Sequence, residues 1–190
     1  RIIAPLAKVV RAYAAPDSED AEDLDLSQPF AKSLMTAYYK ACEGSKSRLL
    51  REWAQCDRAI RNIVAATIAR AQGIAIDTVV VGEGSVVESL LRSSAADFGL
   101  RGELQYIDAV ISAVSDEKNI VEKERKIDKV REEQAWDIAS FDFFNINFIL
   151  SYLVRVNIIA RWMLLLPEAG REMLNRLMRD LDAKELVKKQ

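Results

Sequence analysis

The fold is decided by the stretch LLREWAQCDRAIRNIVAATIARAQG, residues Leu49–Gly73, and by a later stretch of the same plan, LSYLVRVNIIARWMLLLPEAG, residues Leu150–Gly170. In the first, apolar residues recur at alternating steps of four and three, which is the spacing of one face of an α-helix. Both stretches carry arginines and an Asn followed by Ile, and each has a Gly at or just beyond its end. This pattern predicts an all-α protein in which two related helical units form a bundle or funnel-like array.

Composition limits the classes of function. The chain has 190 residues, a net charge of −2 and no His. A charge this close to zero does not favour general nucleic-acid binding, which depends on basic residues that displace counterions from phosphates. The lack of His removes the commonest general base and the commonest zinc ligand, and the spacing of Cys42 and Cys56 fits neither a disulfide framework nor a metal site. We therefore expect no enzymatic activity, no cofactor and no metal.

Proline, glycine and charge divide the chain into three parts. Residues 1–29 are predicted to form an amphipathic helix that ends at Ala14, followed by an acidic linker, DSEDAEDLD over 17–25. We expect this linker to be solvated, because its carboxylates repel one another. Residues 30–114 are predicted to form the first helical unit and residues 115–190 the second. The chain begins with Arg1 rather than Met, and we therefore expect either a fragment or a chain that lacks an N-terminal portion.

The most hydrophobic segment is Phe141–Leu166, and its length argues against a transmembrane helix. Its longest stretch without a charge runs from Phe143 to Val154, twelve residues, whereas about 20 are needed to span a bilayer. Arg155 would also lie inside the membrane, at a cost of roughly 2.5–3.5 kcal/mol. The segment is therefore predicted to be a buried core helix. The chain shows no signal peptide, and we expect a cytoplasmic location.

Several polar residues within the predicted helices are assigned structural roles. Asp57 lies at the edge of the apolar stripe and is expected to pair with Arg61, four residues on, or with a neighbouring helix. The alternative, an acid–base catalyst, lacks a partner His or a second carboxylate on that face. Asn62 and Asn157 are expected to fix how two helices cross, because a buried amide needs hydrogen-bond partners. Arg161 is assigned to the same structural group.

Three arginines at helical spacing, Arg48, Arg51 and Arg58, follow the opposite side of the Leu49–Gly73 helix. Their spacing leaves three alternatives open: a solvated face, a site for phosphate or an acidic partner, or a surface onto which the acidic run 17–25 folds. We keep this face as a candidate partner-binding surface.

The C-terminal half resembles a known repeated unit. The stretch ERKIDKVREEQAWDIASFDFFNINFILSYLVRVNIIARWMLLL, residues 124–166, resembles the unit of the C-type stalk protein of archaeal and vacuolar-type ATPases, which is called the d-type protein in eukaryotic enzymes. Phe148–Leu153 followed by Asn157–Arg161 matches the outline of its second helix, and Asp57–Ile63 leading to Gly73 is similar to another helix of that family. The resemblance also extends to uncharacterised bacterial proteins that are encoded with vacuolar-type ATPase subunits. The family usually carries three such units, and this chain holds two at most.

This resemblance implies a function without catalysis. A member of this stalk-protein family would link the central stalk to the membrane rotor ring, with other ATPase subunits as its partners, and would lie on the cytoplasmic side of the membrane. The alternative hypothesis is a helical adaptor or regulatory domain that binds a soluble protein through the Arg48, Arg51 and Arg58 face.

Overall fold

The protein is all-helical in the part that the computed structural model describes, which is residues 2–115 and 119–188, with side chains up to residue 180. The helices are α1 (Ile3–Ala14), α2 (Phe30–Glu43), α3 (Arg48–Gln72), α4 (Ser85–Arg92), α5 (Ile107–Ser115), α6 (Ile120–Ala139), α7 (Ile146–Met163) and α8 (Pro167–Lys188). Two 3₁₀ turns, Glu19–Ala21 and Ile76–Thr78, lie between them. These described residues contain no strand, and the predicted all-α fold class is confirmed.

Helix α3 is the central element, and its ends agree with the sequence. The Ser47 hydroxyl accepts a hydrogen bond from the Leu50 N–H at 3.4 Å, which caps the N-terminus. Gly73 ends the helix at φ +68°, a left-handed conformation that glycine adopts without steric cost. From this position α3 contacts α2, α4, α5, α6 and α7.

The main hydrophobic core lies between α3, α4, α5 and α6. It is built from buried aliphatic and aromatic side chains, among them Ile60, Ile63, Leu90, Phe98, Leu100, Ile107, Val110, Ile127 and Val130. Ile127 and Val130 belong to α6, so the core includes side chains from both predicted helical units. Residues 116–118, at the start of the second predicted unit, lie outside the described residues.

The acidic run 17–25 is largely exposed to solvent, as expected from its charge, and two of its carboxylates pair with α1. Lys8 pairs with Asp23 and Arg11 with Asp20, both at 2.7 Å. These cations on α1 offset part of the repulsion between the carboxylates. The run therefore does not cover the arginines of α3.

Helix α7 differs most from its prediction. The sequence predicts a buried core helix over Phe141–Leu166, but the buried residues of α7 are only Asn147 and Ser151. Most of its large hydrophobic side chains are exposed. Among the described residues no single helix is long and apolar enough to cross a bilayer, although α7 and Pro167–Asp180 of α8 meet the length and composition together, with a 69° bend between them.

The two asparagines with matching local sequence have different environments. The Asn62 side chain is buried, donates to the Val81 carbonyl and accepts from the Val81 N–H, each at 2.9 Å. It therefore fixes the connector between α3 and α4 to α3, instead of fixing a helix crossing as predicted. Asn157 is exposed on α7, so the predicted structural role is wrong for that residue. The difference arises because only Asn62 lies opposite a buried backbone segment.

We expect Asn62→Ala to lower the free energy of unfolding by about 2–3 kcal/mol, because the buried N–H and carbonyl of Val81 lose their partner. Asn157→Ala, the matched control on an exposed helix surface, should change it by less than about 0.5 kcal/mol. Urea denaturation of both variants measures the two values. Equal effects would contradict this assignment.

Candidate partner-binding surface

A largely buried ionic cluster joins three helices. Arg131 of α6 donates to Asp57 of α3 at 2.9 Å and to Asp128 at 3.2 Å. The hydroxyl of Tyr39 on α2 donates to Asp57 at 2.8 Å. Burial raises the pKa of Tyr39 far above its usual value, so the hydroxyl stays protonated as a donor. Of the two pairings expected for Asp57, the structure has the one with a neighbouring helix, and Arg61 is exposed.

The same cluster holds α7 against α6. Asp128, only 3% exposed, accepts from the indole N–H of Trp162 at 2.9 Å and pairs with Arg161 at 3.1 Å. Arg161 also pairs with Glu124 of α6 at 3.0 Å. Arg161 therefore has the structural surroundings predicted for it. Because the carboxylates and cations satisfy one another, the arrangement fixes helix positions.

Sequence reasoning missed Tyr39, Asp128, Arg131 and Trp162 in this cluster. Asp128 and Arg131 lie three residues apart in a helix rich in charges. Nothing in the local sequence distinguishes them from their exposed neighbours. The one local signal is that they directly follow Ile127 and Val130 in the sequence, which are buried in the core.

Two arginines of the candidate partner-binding face are engaged within the chain. Arg51 donates to the Ser45 carbonyl at 2.7 Å. Arg58 pairs with Glu43 at 2.9 Å and lies against Gly82, where a Cβ atom would come within 2.6 Å of its guanidinium. These arginines therefore support the loops beside α3 and do not form a free basic face.

Arg48 anchors the loop between α6 and α7. Its guanidinium donates to the Ile138 carbonyl at 3.0 Å and to the carboxylate of Asp142. Asn147 of α7 donates to the same carboxylate at 3.0 Å. The hydrogen bonds from Asn147 and Arg48 lower the pKa of Asp142. The loop is thus held to α3 and to the start of α7.

The anchored loop presents three phenylalanine rings to solvent. Phe141, Phe143 and Phe144 are 91%, 62% and 106% exposed. Asn145 ends the loop and caps α7 by accepting from the Asn147 N–H at 3.1 Å. We call residues 141–145 the aromatic loop. Exposed aromatic rings on a fixed backbone are typical of protein-binding surfaces, since such rings supply large contact area at low entropic cost.

Helix α7 packs inwards through a side that carries both polar and partly buried apolar groups, and it turns an apolar side outwards. Towards α6, Ser151 donates to the Ala135 carbonyl and Arg155 pairs with Glu132 at 2.8 Å. The outer side carries exposed apolar residues, namely Ile149, Tyr152, Leu153, Val156, Ile159 and Met163. A helix that is apolar on the side opposite its packing contact is unusual for a surface helix. The apolar side is therefore a candidate surface for binding.

The exposed apolar surface continues onto α8. This helix contacts none of the other helices in the described part of the chain. From Phe141 to Met178, seventeen large hydrophobic side chains are exposed. Monomeric proteins rarely expose apolar patches larger than a few hundred Å² without a functional reason. The aromatic loop, α7 and α8 together thus make the strongest candidate site.

A second concavity lies between α3 and α4 and is acidic. Glu52, Glu83 and Glu103 line it, and the Ser85 hydroxyl donates to Glu103 at 2.9 Å. Among the described residues no group of three or more His, Cys, Asp or Glu could hold a metal ion. Carboxylates at this position disfavour an anionic ligand such as a phosphate.

One family model matches nearly the whole chain. Its description is "Protein of unknown function (DUF2764)", and it matches residues 7–184. No curated protein and no solved structure matches the chain.

We expect Arg131→Gln to lower the free energy of unfolding by about 3 kcal/mol, because it leaves the largely buried carboxylate of Asp57 without its cation and Asp128 with Arg161 alone. Lys129→Gln, an exposed position on the same helix, is the matched control and should change it by less than about 0.5 kcal/mol. Chemical denaturation measures both. If Arg131→Gln were no more destabilising than the control, the ionic cluster would not position the helices.

Arg48→Gln should raise the pKa of Asp142 towards its ordinary value of 3.8, because one of the two main donors to that carboxylate is lost. The lowered pKa in the folded protein means that this contact stabilises the fold above the unfolded-state pKa and that its contribution is lost as pH falls through the folded pKa. Carboxyl NMR titration measures the shift. Arg51→Gln is the control and should leave the pKa of Asp142 as in the wild type.

Proposed function

Because the chain belongs to the family of proteins of unknown function DUF2764, we propose its function from its geometry: it is a non-catalytic helical subunit that binds other proteins of a larger assembly through the aromatic loop. The observation that carries this proposal is the exposure of Phe141, Phe143 and Phe144 on a loop that Arg48 and Asn145 hold in place.

The rigid anchoring of the loop favours protein binding over a role in solubility or folding. Phe141 and Phe144 add little to the stability of the chain that carries them, since their rings remain almost wholly in water, and Phe143 is buried only where it meets Phe148. A loop that is already ordered loses little conformational entropy when a partner covers it. Buried aromatic anchors of this kind supply a large share of the binding energy in protein interfaces.

The resemblance to the C-type stalk protein of archaeal and vacuolar-type ATPases supports the choice of assembly. It includes residues 124–166, which form most of α6, the aromatic loop and all of α7. We therefore propose a coupling role between the central stalk and the membrane rotor ring, with ATPase subunits as partners. The location would be cytoplasmic and peripheral to the membrane.

The alternative of an adaptor that binds a soluble protein through Arg48, Arg51 and Arg58 has less support. Each of these arginines makes an ion pair or a hydrogen bond within the chain. A partner that bound them would have to replace those contacts.

Affinity purification of the tagged protein from its native host tests the proposal. We expect the wild type to enrich vacuolar-type ATPase subunits, and Phe144→Asp to reduce their recovery about 30-fold, which corresponds to the roughly 2 kcal/mol of a single anchor residue. Because Phe144 is fully exposed, the melting temperature should not change. Ile3→Asp, which alters an exposed apolar residue on α1, is the matched control and should recover the same subunits as the wild type.

Two outcomes would contradict the proposal. Equal recovery with Phe144→Asp would remove the aromatic loop from the interface. A wild-type eluate without ATPase subunits, but with another protein that Phe144→Asp loses, would keep the loop as a binding surface and would contradict the assignment to an ATPase.

A further inference from the structure

The outer side of α7 and one side of α8 are two apolar stripes without a partner in the described part of the chain. On α7, Tyr152, Leu153 and Val156 are 59%, 49% and 37% exposed. On α8 the exposed large apolar side chains are Met173, Leu174, Leu177 and Met178, which share one helical side. The two charged residues of α7, Arg155 and Arg161, pair with α6. The outer side of α7 is therefore free of charge.

The two stripes match when the helices are antiparallel. Tyr152, Leu153 and Val156 follow one another at steps of one and three. From the C-terminal towards the N-terminal end of α8, Met178, Leu177 and Leu174 also follow one another at steps of one and three. An antiparallel pair can therefore place Leu177 at the level of Leu153, with the flanking apolar residues also opposite one another.

The same alignment brings two small residues together. With Leu177 at the level of Leu153, Gly170 of α8 lies opposite Ala160 of α7. Small residues let two helix backbones approach closely, which improves the packing of the larger side chains on either side. The match thus extends over about two and a half helical turns.

The elbow between α7 and α8 keeps α8 away from the α7 of its own chain. The helices diverge with a bend of 69°, whereas an antiparallel hairpin needs a nearly complete reversal. The backbone of the elbow is hydrogen-bonded: Leu165 donates to the Trp162 carbonyl at 3.3 Å and Leu166 to the Leu164 carbonyl at 3.0 Å. At the start of α8, Gly170 donates to the Leu166 carbonyl at 3.0 Å. Folding back would disrupt this turn.

We infer that the outer side of α7 binds α8 of a second copy of this chain, and that the exchange is reciprocal. A two-fold axis that lays α8 of one copy antiparallel on α7 of the other also creates the second, identical contact. Both stripes of both chains are then covered. The aromatic loop is outside this interface, so the dimer is independent of the proposed function.

The size and charge of the stripes suit such a dimer. With roughly 100 Å² exposed on each of the ten or so apolar side chains of α7 and α8, each copy can bury about the 800 Å² that a stable interface needs. Over residues 167–180 of α8 three basic residues, Arg171, Arg176 and Arg179, balance three acidic ones, Glu168, Glu172 and Asp180. This part of α8 therefore has no net charge that would oppose its binding to the uncharged outer side of α7.

Disulfide trapping tests which chain supplies the α8 that lies on α7. Val156→Cys and Leu174→Cys are made as separate variants with different tags, co-expressed and oxidised. We expect a disulfide-linked heterodimer, because the dimer brings these two positions within the roughly 7 Å between Cα atoms that a disulfide allows. Glu172→Cys, on the opposite side of α8, is the control partner for Val156→Cys and should give no product above the background from Cys42 and Cys56.

A chain that carries both Val156→Cys and Leu174→Cys separates the dimer from closure within one chain. In the exchanged dimer it forms linked dimers. If it formed only an internal disulfide, and the separate variants gave no heterodimer, α8 would close on its own chain and the inference would be overturned.

Light scattering gives an independent measurement. At about 50 µM, within the range of ordinary interface affinities, the wild type should have twice the 21.4 kDa mass of one chain. Leu177→Glu should be monomeric with unchanged helical content, since α8 contacts no other described helix of its own chain. A monomeric wild type would overturn the inference, and so would a monomer that bound phosphatidylcholine vesicles through Leu177, since lipid would then cover the stripe.

Discussion

The guanidinium of Arg131 lies between the carboxylates of Asp57 and Asp128, and the arrangement of four helices depends on it. Charges removed from water cost several kcal/mol each unless they are paired and hydrogen-bonded. Asp57 belongs to α3 and the other two residues to α6, so these helices pack in the one register that brings the three groups together. Tyr39 adds α2 to the cluster, and Trp162 adds α7. Apolar packing alone tolerates more than one arrangement, whereas this cluster specifies one.

The attachment of α7 to α6 includes polar groups, and this leaves much of its apolar surface exposed. Asp128 and Glu132 of α6 provide acceptors for Trp162 and Arg155. The inner side of α7 is therefore shared between these polar groups and partly buried apolar side chains such as Phe148. The other hydrophobic residues of α7 are left on the opposite side, where they gain nothing until another surface covers them. The free energy of that burial is consequently available for association and not for folding of the single chain. The apolar side chains of α8, which diverges from α7 at the elbow, are likewise exposed, and the free energy of burying them is available for association.

The elements of the fold were predictable where local sequence determines them. The apolar period of α3, together with Ser47 and Gly73 at its ends, defines that helix without knowledge of its neighbours. The environment of α7 was not predictable, because hydrophobicity indicates that a helix is buried but not what buries it. Asn62 and Asn157 illustrate the limit, since each is followed by Ile in an apolar helix, yet only Asn62 meets a buried backbone segment, at Val81. The arginine spacing on α3 likewise contained no sign that Asp142 would bind Arg48.

Arg48 connects the central helix to the surface that we assign to partner binding. It joins α3 to the end of α6 through the Ile138 carbonyl and to the aromatic loop through Asp142. The position of the exposed phenylalanines is therefore set by α3, and through α3 by the ionic cluster that orients α6. A partner that covers the loop meets a surface that is already ordered, so little of its binding energy is lost in ordering the backbone. Because the loop leads directly into α7, a partner on the loop and a second copy on α7 would be neighbours, and each could bind without displacing the other.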